Sequence, residues 1–569
     1  MGREYFMELY WRSFFQEVEE DEFGDINYCT MHDIMHDLAL QVGGVKCAML
    51  TSHVKDIDRR ARHLSFNFSL KSSQQIPISL SQTANSIRTV LLPSQKWEGN
   101  VLREGLQICD VIFSNFKFLR ALDLHDFGIT TLSNSIGKLR HLRYLDLSHT
   151  KIKALPNSIM KLQNLQTLKL SWLRDFKELP RDTKKLINLR HLEFRGLRDL
   201  NHMPSGLRQL TNLQTLSYFV LSKGTKLRHG CGDHVAELKE LMPLNSLRNL
   251  CILNLRHAIT DGTAGNLKDK QYLQSLTLSW FSSDARKDLE TAMESTSSDA
   301  YGMTLESFQP LPNLKSLSLE GYGDDSFSPS NAASLMPSLE TLHLLDLSNL
   351  KGWWRDTVLR LRNIEDDLHY LPNWFKSLTS LRSLIFDGCS KLKHLSPIIQ
   401  HLISLRDLYI AGCNELDMSN AEVISWKACK SLVSLSFNDL PRLETPPEGL
   451  QYFTTLRDLG FLECKNLKAI PEWFSNFTSL TEFRLYVCPN LTSLPEGICS
   501  ITSLQKLRIS GCPILLQRCE REKGEDWPKI AHIPHLYLEP LDNSESSSVS
   551  GSSKWKISEN FRVPQLCNK

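Results

Sequence analysis

The stretch "LRYLDLSHTKIKALPNSIMKLQNLQTLKL", residues 142–170, contains the frame LxxLxL twice, at Leu142 and again at Leu165. Alternation within LxL is typical of a short strand whose leucines point to one side. Between the two frames, Pro156 cannot donate a hydrogen bond to a sheet and fixes its own φ, so it predicts a turn before a short helical segment. One such unit cannot bury its own leucines, and it therefore has to stack on neighbours of the same kind.

The same frame recurs along most of the chain. Steps of 23 or 24 residues separate the first five copies. The fifteen copies begin at Leu119, Leu142, Leu165, Leu189, Leu213, Leu247, Leu273, Leu314, Leu339, Leu381, Leu405, Leu432, Leu456, Leu480 and Leu504. A weaker copy, "IRTVLL", begins at Ile87. This period and frame are those of the leucine-rich repeat. We therefore predict an α/β solenoid, a leucine-rich-repeat horseshoe of about fifteen repeats with a parallel sheet and an extended concave surface.

Composition narrows the classes of function. Lys and Arg number 66 against 64 Asp and Glu, a formal net charge of +2, so no global field favours nucleic acid or a membrane surface as partner. No apolar run approaches the length of a membrane span, and the first residues carry charges at Arg3, Glu4 and Glu8 where a signal peptide keeps an apolar core. We expect a cytoplasmic protein, or a nuclear one, with no membrane span.

Cysteine is frequent late in the chain at the ninth position of the frame. The column consists of Cys389, Cys413, Cys464, Cys488 and Cys512. Successive members would lie one strand spacing apart, about 4.8 Å, without the convergence that four zinc ligands require. We predict reduced thiols that pack inward beside the backbone, and no metal site.

The first 45 residues follow another pattern. "YFMELYWRSFFQEV" from Tyr5 predicts an amphipathic helix that runs into a strand, and "INYCTM" from Ile26 predicts a returning strand after a turn at Gly24. A helix and a hairpin fit the end of a winged-helix unit. The predicted boundaries are a winged-helix remnant at 1–45, a linker and N-terminal cap at 46–110, repeats at 111–538 and a disordered Ser-rich tail at 539–569.

The next stretch, "CTMHDIMHDLALQVGG", residues 29–44, contains Met-His-Asp twice. Thr30 is placed to cap a helix, and Gly43 and Gly44 to end it. Apolar residues recur at the spacing of a buried helical stripe. The stripe consists of Met31, Ile34, Met35, Leu38, Ala39 and Val42.

Three interpretations of the polar side of this helix stay open. His32 and His36 are four residues apart, and "HDIMH" resembles the zinc-binding HExxH motif, although Asp33 is one methylene shorter than Glu and no third ligand is evident. The side is also compatible with an ordinary solvated face. Finally, His32 in the first turn would add an imidazole donor to unpaired backbone N–H groups, which favours an anionic phosphate.

The combination of segments resembles a known family. "SFFQEVEEDEFGDINYCTMHDIMHDLAL" ahead of leucine-rich repeats, and the ending "GCPILLQRCEREKGEDWPKIAHIPHLYL", residues 511–538, resemble the plant nucleotide-binding leucine-rich-repeat disease resistance proteins, most closely the coiled-coil class. The resemblance implies that Met31, His32 and Asp33 form the Met-His-Asp motif of a winged-helix subdomain, with the histidine sensing ADP. It also implies an intramolecular nucleotide-binding module, an ADP/ATP switch, and repeats that recognise a pathogen effector or a guarded host protein.

The departure from this family is that the chain contains no GxxxxGK[ST] phosphate loop. One histidine cannot replace a backbone cradle, a lysine and a magnesium site. We therefore expect the chain to be the C-terminal part of a receptor that binds no nucleotide by itself.

The leading hypothesis is a non-enzymatic recognition and autoinhibition module that binds protein partners and no nucleic acid. Its contacts are predicted at outward positions of the strands, where aromatic and arginine side chains are the usual anchors. The candidates are Tyr144, Asp146, Lys169, Trp172, Glu193, Arg195, Trp280, Tyr409, Arg484, Tyr486 and Arg508. The alternatives are a substrate adaptor of a ubiquitin ligase, which would need a helical head, and an HDxxH metalloprotein.

Overall fold

A computed structural model describes most of the chain. The described residues are 2–20, 26–50, 57–66, 85–92, 102–173, 175–194, 196–197, 200, 202–222, 237–255, 267, 269–280, 311–321, 338–345, 378–390, 392–395, 399–418, 426 and 429–540. They divide into two compact units: unit 1 holds the described residues up to Tyr218, and unit 2 those from Phe219 onward. The predicted Ser-rich tail lies outside the described residues from 541 onward.

Unit 1 begins with the predicted helix and hairpin. Helix α1 (Gly2–Trp11) leads into β1 (Phe15–Glu20), which pairs antiparallel with β2 (Ile26–Met31). Helix α2 (Asp33–Gly43) follows directly. The helix, the hairpin and the second helix are the individual elements that the sequence predicts for this segment.

A parallel sheet follows in unit 1, with its strands hydrogen-bonded in chain order. The strands are β3 (Cys47–Leu50), β4 (His63–Phe66), β5 (Thr89–Leu91), β6 (Ala121–Asp123), β7 (Tyr144–Asp146), β8 (Thr167–Lys169), β9 (His191–Glu193) and β10 (Thr215–Val220), of which the last two residues are counted in unit 2. The sheet therefore starts at Cys47, inside the segment expected to be a linker and cap. That segment also contains most of helix α3 (Leu102–Asn115).

Unit 2 contains a second run of parallel strands paired in chain order. The strands are β11 (Asn249–Leu253), β12 (Ser275–Ser279), β13 (Ser316–Glu320), β14 (Thr341–Leu345), β15 (Ser383–Asp387), β16 (Asp407–Ala411), β17 (Ser434–Asn438), β18 (Asp458–Leu462), β19 (Glu482–Tyr486), β20 (Lys506–Ser510) and β21 (His535–Glu539). Short helices α4 (Pro513–Arg518) and α5 (Trp527–Ile530) precede the last strand.

The LxxLxL frame determines where each strand begins and which side chains form the core. Each of the fifteen frames carries a strand that begins two residues after its first leucine. The leucines of the frame point inward, as Leu142, Leu145 and Leu147 show with no exposed surface. Each buried leucine contributes roughly 1.5–3 kcal/mol to stability. The predicted leucine-rich-repeat fold is confirmed.

In several repeats a proline directly precedes the short helical turn that follows the strand, as predicted. Pro156, Pro471 and Pro495 each immediately precede a 3-10 turn, because the ring fixes φ near the value such a turn needs. These turns return the chain to the next strand, so the leucine frames come back into register.

The cysteine column packs inward, as predicted. Cys464 and Cys488 are buried, and their thiols donate to the carbonyls of Leu462 and Tyr486 at 3.4 and 3.5 Å. Burial raises the pKa of Cys464 to about 12, which keeps the thiol protonated. Among the described residues, no group of three or more His, Cys, Asp or Glu side chains is placed to hold a metal ion.

A buried carboxylate connects the last elements of unit 2. Asp526 has no exposed surface and accepts hydrogen bonds from both Nε and Nη2 of Arg518 at 3.1 Å and from the Leu494 N–H at 3.0 Å. Lys529 Nζ lies 2.9 Å away. Burial alone would raise the pKa of Asp526, but these donors lower it. The carboxylate thereby ties α4 and α5 to the preceding repeat.

No helix within the described residues is long and apolar enough to cross a membrane.

Candidate protein-binding surface

Charged side chains form a row across the outward side of four strands in unit 1. The register pairs Asp123 with Asp146, Asp146 with Lys169, and Lys169 with Glu193. Lys169 Nζ lies 3.5 Å from Glu193 Oε2, and both side chains are about one-third exposed. The row thus contains three carboxylates and one ammonium group, and we call it the acidic row.

Asp146 is held more tightly than its neighbours. It accepts a hydrogen bond from Tyr144 OH at 3.0 Å and another from the Ser148 N–H at 2.9 Å, and it is buried. Burial and then the charge of Asp146 raise the pKa of Tyr144, so the phenol stays a neutral donor. Burial also raises the pKa of Asp123 above its ordinary value. Asp146 therefore orients Tyr144, and Tyr144 is the half-exposed member of the pair.

Three rings contact one another in tilted arrangements beside the acidic row, just beyond the ends of β6, β7 and β8. The ring centroids of His125 and His149 are 4.9 Å apart, and those of His149 and Trp172 are 5.9 Å apart. Both His149 and Trp172 have left-handed backbone, with φ of 59° and 63°. Gly196 lies against the face of Trp172, and a Cβ there would overlap the indole. The three rings therefore form a partly exposed aromatic surface next to the charged side chains of the acidic row.

The structure corrects two of the predicted contact residues in unit 2. Trp280 and Tyr409 are only 1% and 3% exposed, so neither side chain is accessible to a partner as predicted. Trp280 follows the last residue of β12, where the chain leaves the sheet, and it packs inside. Tyr409 lies on the outward side of β16, but neighbours one strand spacing away cover it, and its hydroxyl accepts a hydrogen bond from Asn438 Nδ2 at 2.9 Å.

The remaining predicted residues of unit 2 lie near its end. Arg508 has a side chain that is 52% exposed, and its guanidinium lies 4.6 Å from the ring centroid of Tyr537. Tyr486 is half-buried. Arg484 is nearly buried and binds Asp458. The predicted contact Arg195 lies outside the described residues.

His32 caps helix α2, which corrects the prediction that Thr30 does so. His32 Nδ1 accepts a hydrogen bond from the Ile34 N–H at 3.3 Å, whereas Thr30 lies in β2 and donates to the Gln16 carbonyl at 3.1 Å. Because Nδ1 accepts, the ring proton of neutral His32 is on Nε2. His36 Nδ1 instead lies 3.4 Å from Asp37 Oδ1. The two histidines have different partners, and no described His, Cys, Asp or Glu side chain is placed to complete a three-ligand group with them.

The predicted buried stripe on α2 is exposed. No residue of this helix is buried, and Ile34 and Val42 are 67% and 79% exposed. Within the described chain no element packs over this face. Exposed His32 offers one ring N–H toward solvent, which fits a single contact to an anion but not a nucleotide site by itself.

Sequence reasoning missed a line of cations at the amino-terminal edge of the unit 1 sheet. Each residue precedes its strand by one position, and from Leu119 onward it directly follows the first leucine of its frame. Its N–H donates to the carbonyl of the equivalent residue on the preceding strand, at 2.7 to 2.8 Å. We call this line the arginine column: Lys46, Arg62, Arg88, Arg120, Arg143, Gln166 and Arg190. The recurrent "LR" that opens the frame was the signal that could have revealed it.

Two protein-family models match parts of the chain. Residues 1–39 match the family model described as "Disease resistance protein Winged helix domain", and residues 101–365 match "Leucine-rich repeat region". No curated protein matches the chain.

The chain is also similar to three solved structures of other proteins. A leucine-rich-repeat protein of Leptospira interrogans is 18% identical, with 88% of this chain and 97% of that chain covered and a TM-score of 0.43. An internalin of Listeria monocytogenes is 15% identical, with coverage of 77% and 94% and a TM-score of 0.33. The functional domain of InlJ from Listeria monocytogenes, which includes a cysteine ladder, is 14% identical, with coverage of 71% and 72% and a TM-score of 0.34.

Proposed function

We propose, for a chain that belongs to the plant NLR-type disease resistance proteins, that its repeats recognise a pathogen effector or a guarded host protein. In this proposal the repeats also hold an ADP/ATP switch in its resting state. The protein acts inside the cell by binding, without catalysis of its own. The twelve cysteines in the described part of the chain all carry free thiols, which supports a reducing compartment.

The outward face of β7 to β9 carries the proposal. Tyr144 lies on β7 and Trp172 just beyond the end of β8, and both are partly exposed aromatics. Lys169 and Glu193 lie on the neighbouring strands β8 and β9. Aromatic side chains supply contact area at low entropic cost, and charged neighbours fix the register of a partner. A surface that is already ordered before binding is suited to recognising another protein.

The switch part of the proposal assigns His32 a role in sensing nucleotide. An intramolecular nucleotide-binding module would hold ADP, and that nucleotide supplies the negative charge that His32 Nε2–H can meet with a hydrogen bond. The cap from His32 Nδ1 to the Ile34 N–H fixes the ring at the start of α2. The exposed apolar residues of α2 would then pack against the same module.

The experiment is a cell-death assay in leaves with the full-length receptor and a panel of effectors. Tyr144→Ala with Trp172→Ala should abolish the response to an effector that the unaltered receptor recognises. Tyr272→Ala, at a tyrosine that is 63% exposed, is the matched control and should respond normally. A full response from the double variant would refute this face as the recognition surface. Capture of ligase scaffold proteins in place of a receptor response would favour the adaptor alternative.

A further inference from the structure

Lys270 occupies a position of the repeat frame that is otherwise apolar. It is the third residue before the first leucine of its frame, and it is only 3% exposed. The neighbouring repeats have Leu244 and Leu311 at this position. In every other frame whose corresponding residue is described, that residue is a buried apolar side chain or a buried cysteine: Phe116, Leu139, Leu162, Leu186, Leu210, Leu378, Leu402, Cys429, Phe453, Phe477 and Ile501. The repeat of β12 therefore carries a charge in place of a core side chain.

The ammonium group of Lys270 is surrounded by neutral oxygen atoms of the preceding repeat. Its Nζ donates to the carbonyls of Leu241, Leu244 and Met242 at 2.7, 3.2 and 3.3 Å, and it lies 3.4 Å from Asn245 Oδ1. These acceptors orient the ammonium group, but they supply no opposite charge. A buried cation without a counter-ion is less favourable for folding than an apolar side chain of similar size.

The charged groups around Lys270 do not neutralise it. On the 3-10 turn of the preceding repeat, Glu237 and Lys239 form an ion pair with each other, and Glu240 is buried. Asp269 is the adjacent carboxylate on its own segment. Among the described residues, none of these carboxylates forms an ion pair with Lys270. Burial lowers the pKa of Lys270 from 10.5 to about 8, and the charge of Asp269 opposes this change.

A second unfavourable group lies in the repeat of β11. Asn254 directly follows this strand, is 2% exposed and has a left-handed backbone with φ of 64°. Its Nδ2 donates to the Leu221 carbonyl at 2.8 Å, but its buried Oδ1 has no hydrogen-bond partner in the described part of the chain. A buried acceptor without a partner lowers stability. The adjacent repeats of β11 and β12 thus each contain an unfavourable buried polar group.

We propose that unit 2 opens locally between the repeats of β11 and β12, and that the buried charge of Lys270 promotes this opening. Each repeat of a solenoid contacts only its neighbours, so one interface can separate while the others stay closed. In the open state the ammonium group of Lys270 reaches water and recovers its hydration. This inference goes beyond the proposed function, because it concerns where the solenoid changes conformation and not what it binds.

The opening should depend on pH in one direction. When the interface opens, Lys270 returns to its ordinary pKa of 10.5. Between about 8 and 10.5 the open state therefore holds a proton that the closed state has released. The opening is favoured in full below pH 8, and it becomes less frequent as pH rises through this range.

Cys251 is a native probe of this opening. It lies on β11, is 4% exposed and pairs with Thr277 of β12 in the sheet register. A thiol-specific reagent should modify it only after the interface has opened. The measurement is the modification rate of Cys251 in the full chain, divided by its rate in the urea-unfolded chain at the same pH. Mass spectrometry resolves each cysteine, and buried Cys464, in the repeat of β18, is the remote reference.

The test variant is Lys270→Met, which keeps a long side chain and removes its charge. Lys270→Leu is a second variant, because leucine fills this position in both neighbouring repeats. The matched control is Lys239→Met, the same change at a side chain that is 59% exposed in the preceding repeat.

We expect Cys251 to react on the order of tenfold more slowly in Lys270→Met than in the unaltered chain. In the unaltered chain the normalised rate should also fall on the order of tenfold between one pH unit below 8 and one unit above it, and this pH dependence should be absent from the variant. Lys239→Met should change the rate by less than about twofold. The normalised rate at Cys464 should be the same in every chain.

Three results would overturn the proposal. Unchanged or faster modification of Cys251 in both Lys270 variants would mean that the ring of oxygen atoms stabilises the closed interface. A change of equal size at Cys464 would mean that the whole unit unfolds in place of a local opening. Parallel pH profiles for Lys270→Met and the unaltered chain would remove Lys270 as the group that controls the opening.

Discussion

Arg484 and Asp458 form a two-point ion pair on neighbouring strands of unit 2. Arg484 Nη2 donates to both carboxylate oxygens of Asp458, at 2.9 and 2.8 Å, and the two side chains are 11% and 8% exposed. The arginine that the sequence nominated as a contact for a partner is therefore committed to its own neighbour.

We predict that a single substitution in this pair lowers the free energy of unfolding more than a double substitution does. Asp458→Ala leaves the Arg484 charge nearly buried and unpaired, which should lower the free energy of unfolding by about 3–5 kcal/mol. Asp458→Ala with Arg484→Ala should cost less than the single change, because no unpaired charge remains. Amide hydrogen exchange of β17 to β20 measures both losses. A double variant that is less stable than Asp458→Ala would contradict this account.

The leucine frame predicts a second stability effect. Leu145 has no exposed surface, so Leu145→Ala should lower the free energy of unfolding by about 2–5 kcal/mol through lost burial and a residual cavity. Ile187→Ala, at a side chain that is 54% exposed, is the control and should stay within about 0.5 kcal/mol. Thermal melting followed by circular dichroism distinguishes them, and an unchanged melting temperature for Leu145→Ala would disprove the register.

We predict that the free energy of unfolding of unit 2 depends on pH through Asp407. Burial raises the pKa of Asp407 from 3.8 to about 6, so between these values the folded state holds a proton that the unfolded chain has released. The contribution of Asp407 to the free energy of unfolding is therefore full below pH 3.8 and is lost as pH rises through about 6.

Asp407→Asn should remove this decline and stabilise unit 2 at pH 7 by about 1–3 kcal/mol. Urea titrations at pH 4 and pH 7 test the prediction, with a smaller difference between the two conditions expected in the variant. Parallel pH profiles for the variant and the unaltered chain would contradict it.

The two Met-His-Asp copies predict different signalling phenotypes in the full-length receptor. Asp33 is the first residue of α2 and follows the capping His32, so Asp33→Val should disturb the proposed sensor and trigger cell death without an effector. Asp37 is exposed beside His36, and Asp37→Val should stay silent. Leaf expression of each variant measures this, and autoactivity from Asp37→Val alone would make the second copy the sensor.

Sequence periodicity predicted the repeat architecture because the frame encodes strand, core and turn together. Leu145 and Pro156 each have one structural role, and both roles are visible in a single repeat. Strands β3 and β4 were missed because "CAML" and "HLSF" lack the full leucine frame, although backbone pairing in the ladder requires only an extended segment.

The contact surface was harder to predict. Periodicity shows on which side of a strand or helix a side chain lies, but it does not show which neighbouring residues cover that side chain. Tyr409 is on the outward side of its strand and is still closed to solvent by its neighbours. The apolar side of α2 was identified correctly, yet Ile34 is exposed because no described segment packs there. Arg120 and Arg143 were overlooked since each alone is an ordinary surface charge, and only the sheet aligns them.

Recombination between neighbouring repeats has a predictable result at the arginine column. Between Leu119 and Leu213 each frame contributes one position of the column within a unit of 23 or 24 residues. Duplication or deletion of one whole unit would lengthen or shorten the charged edge by one step and leave the leucine core of the other units intact. Unequal crossing-over in such genes can thus vary the length of this charged edge without first evolving a new fold.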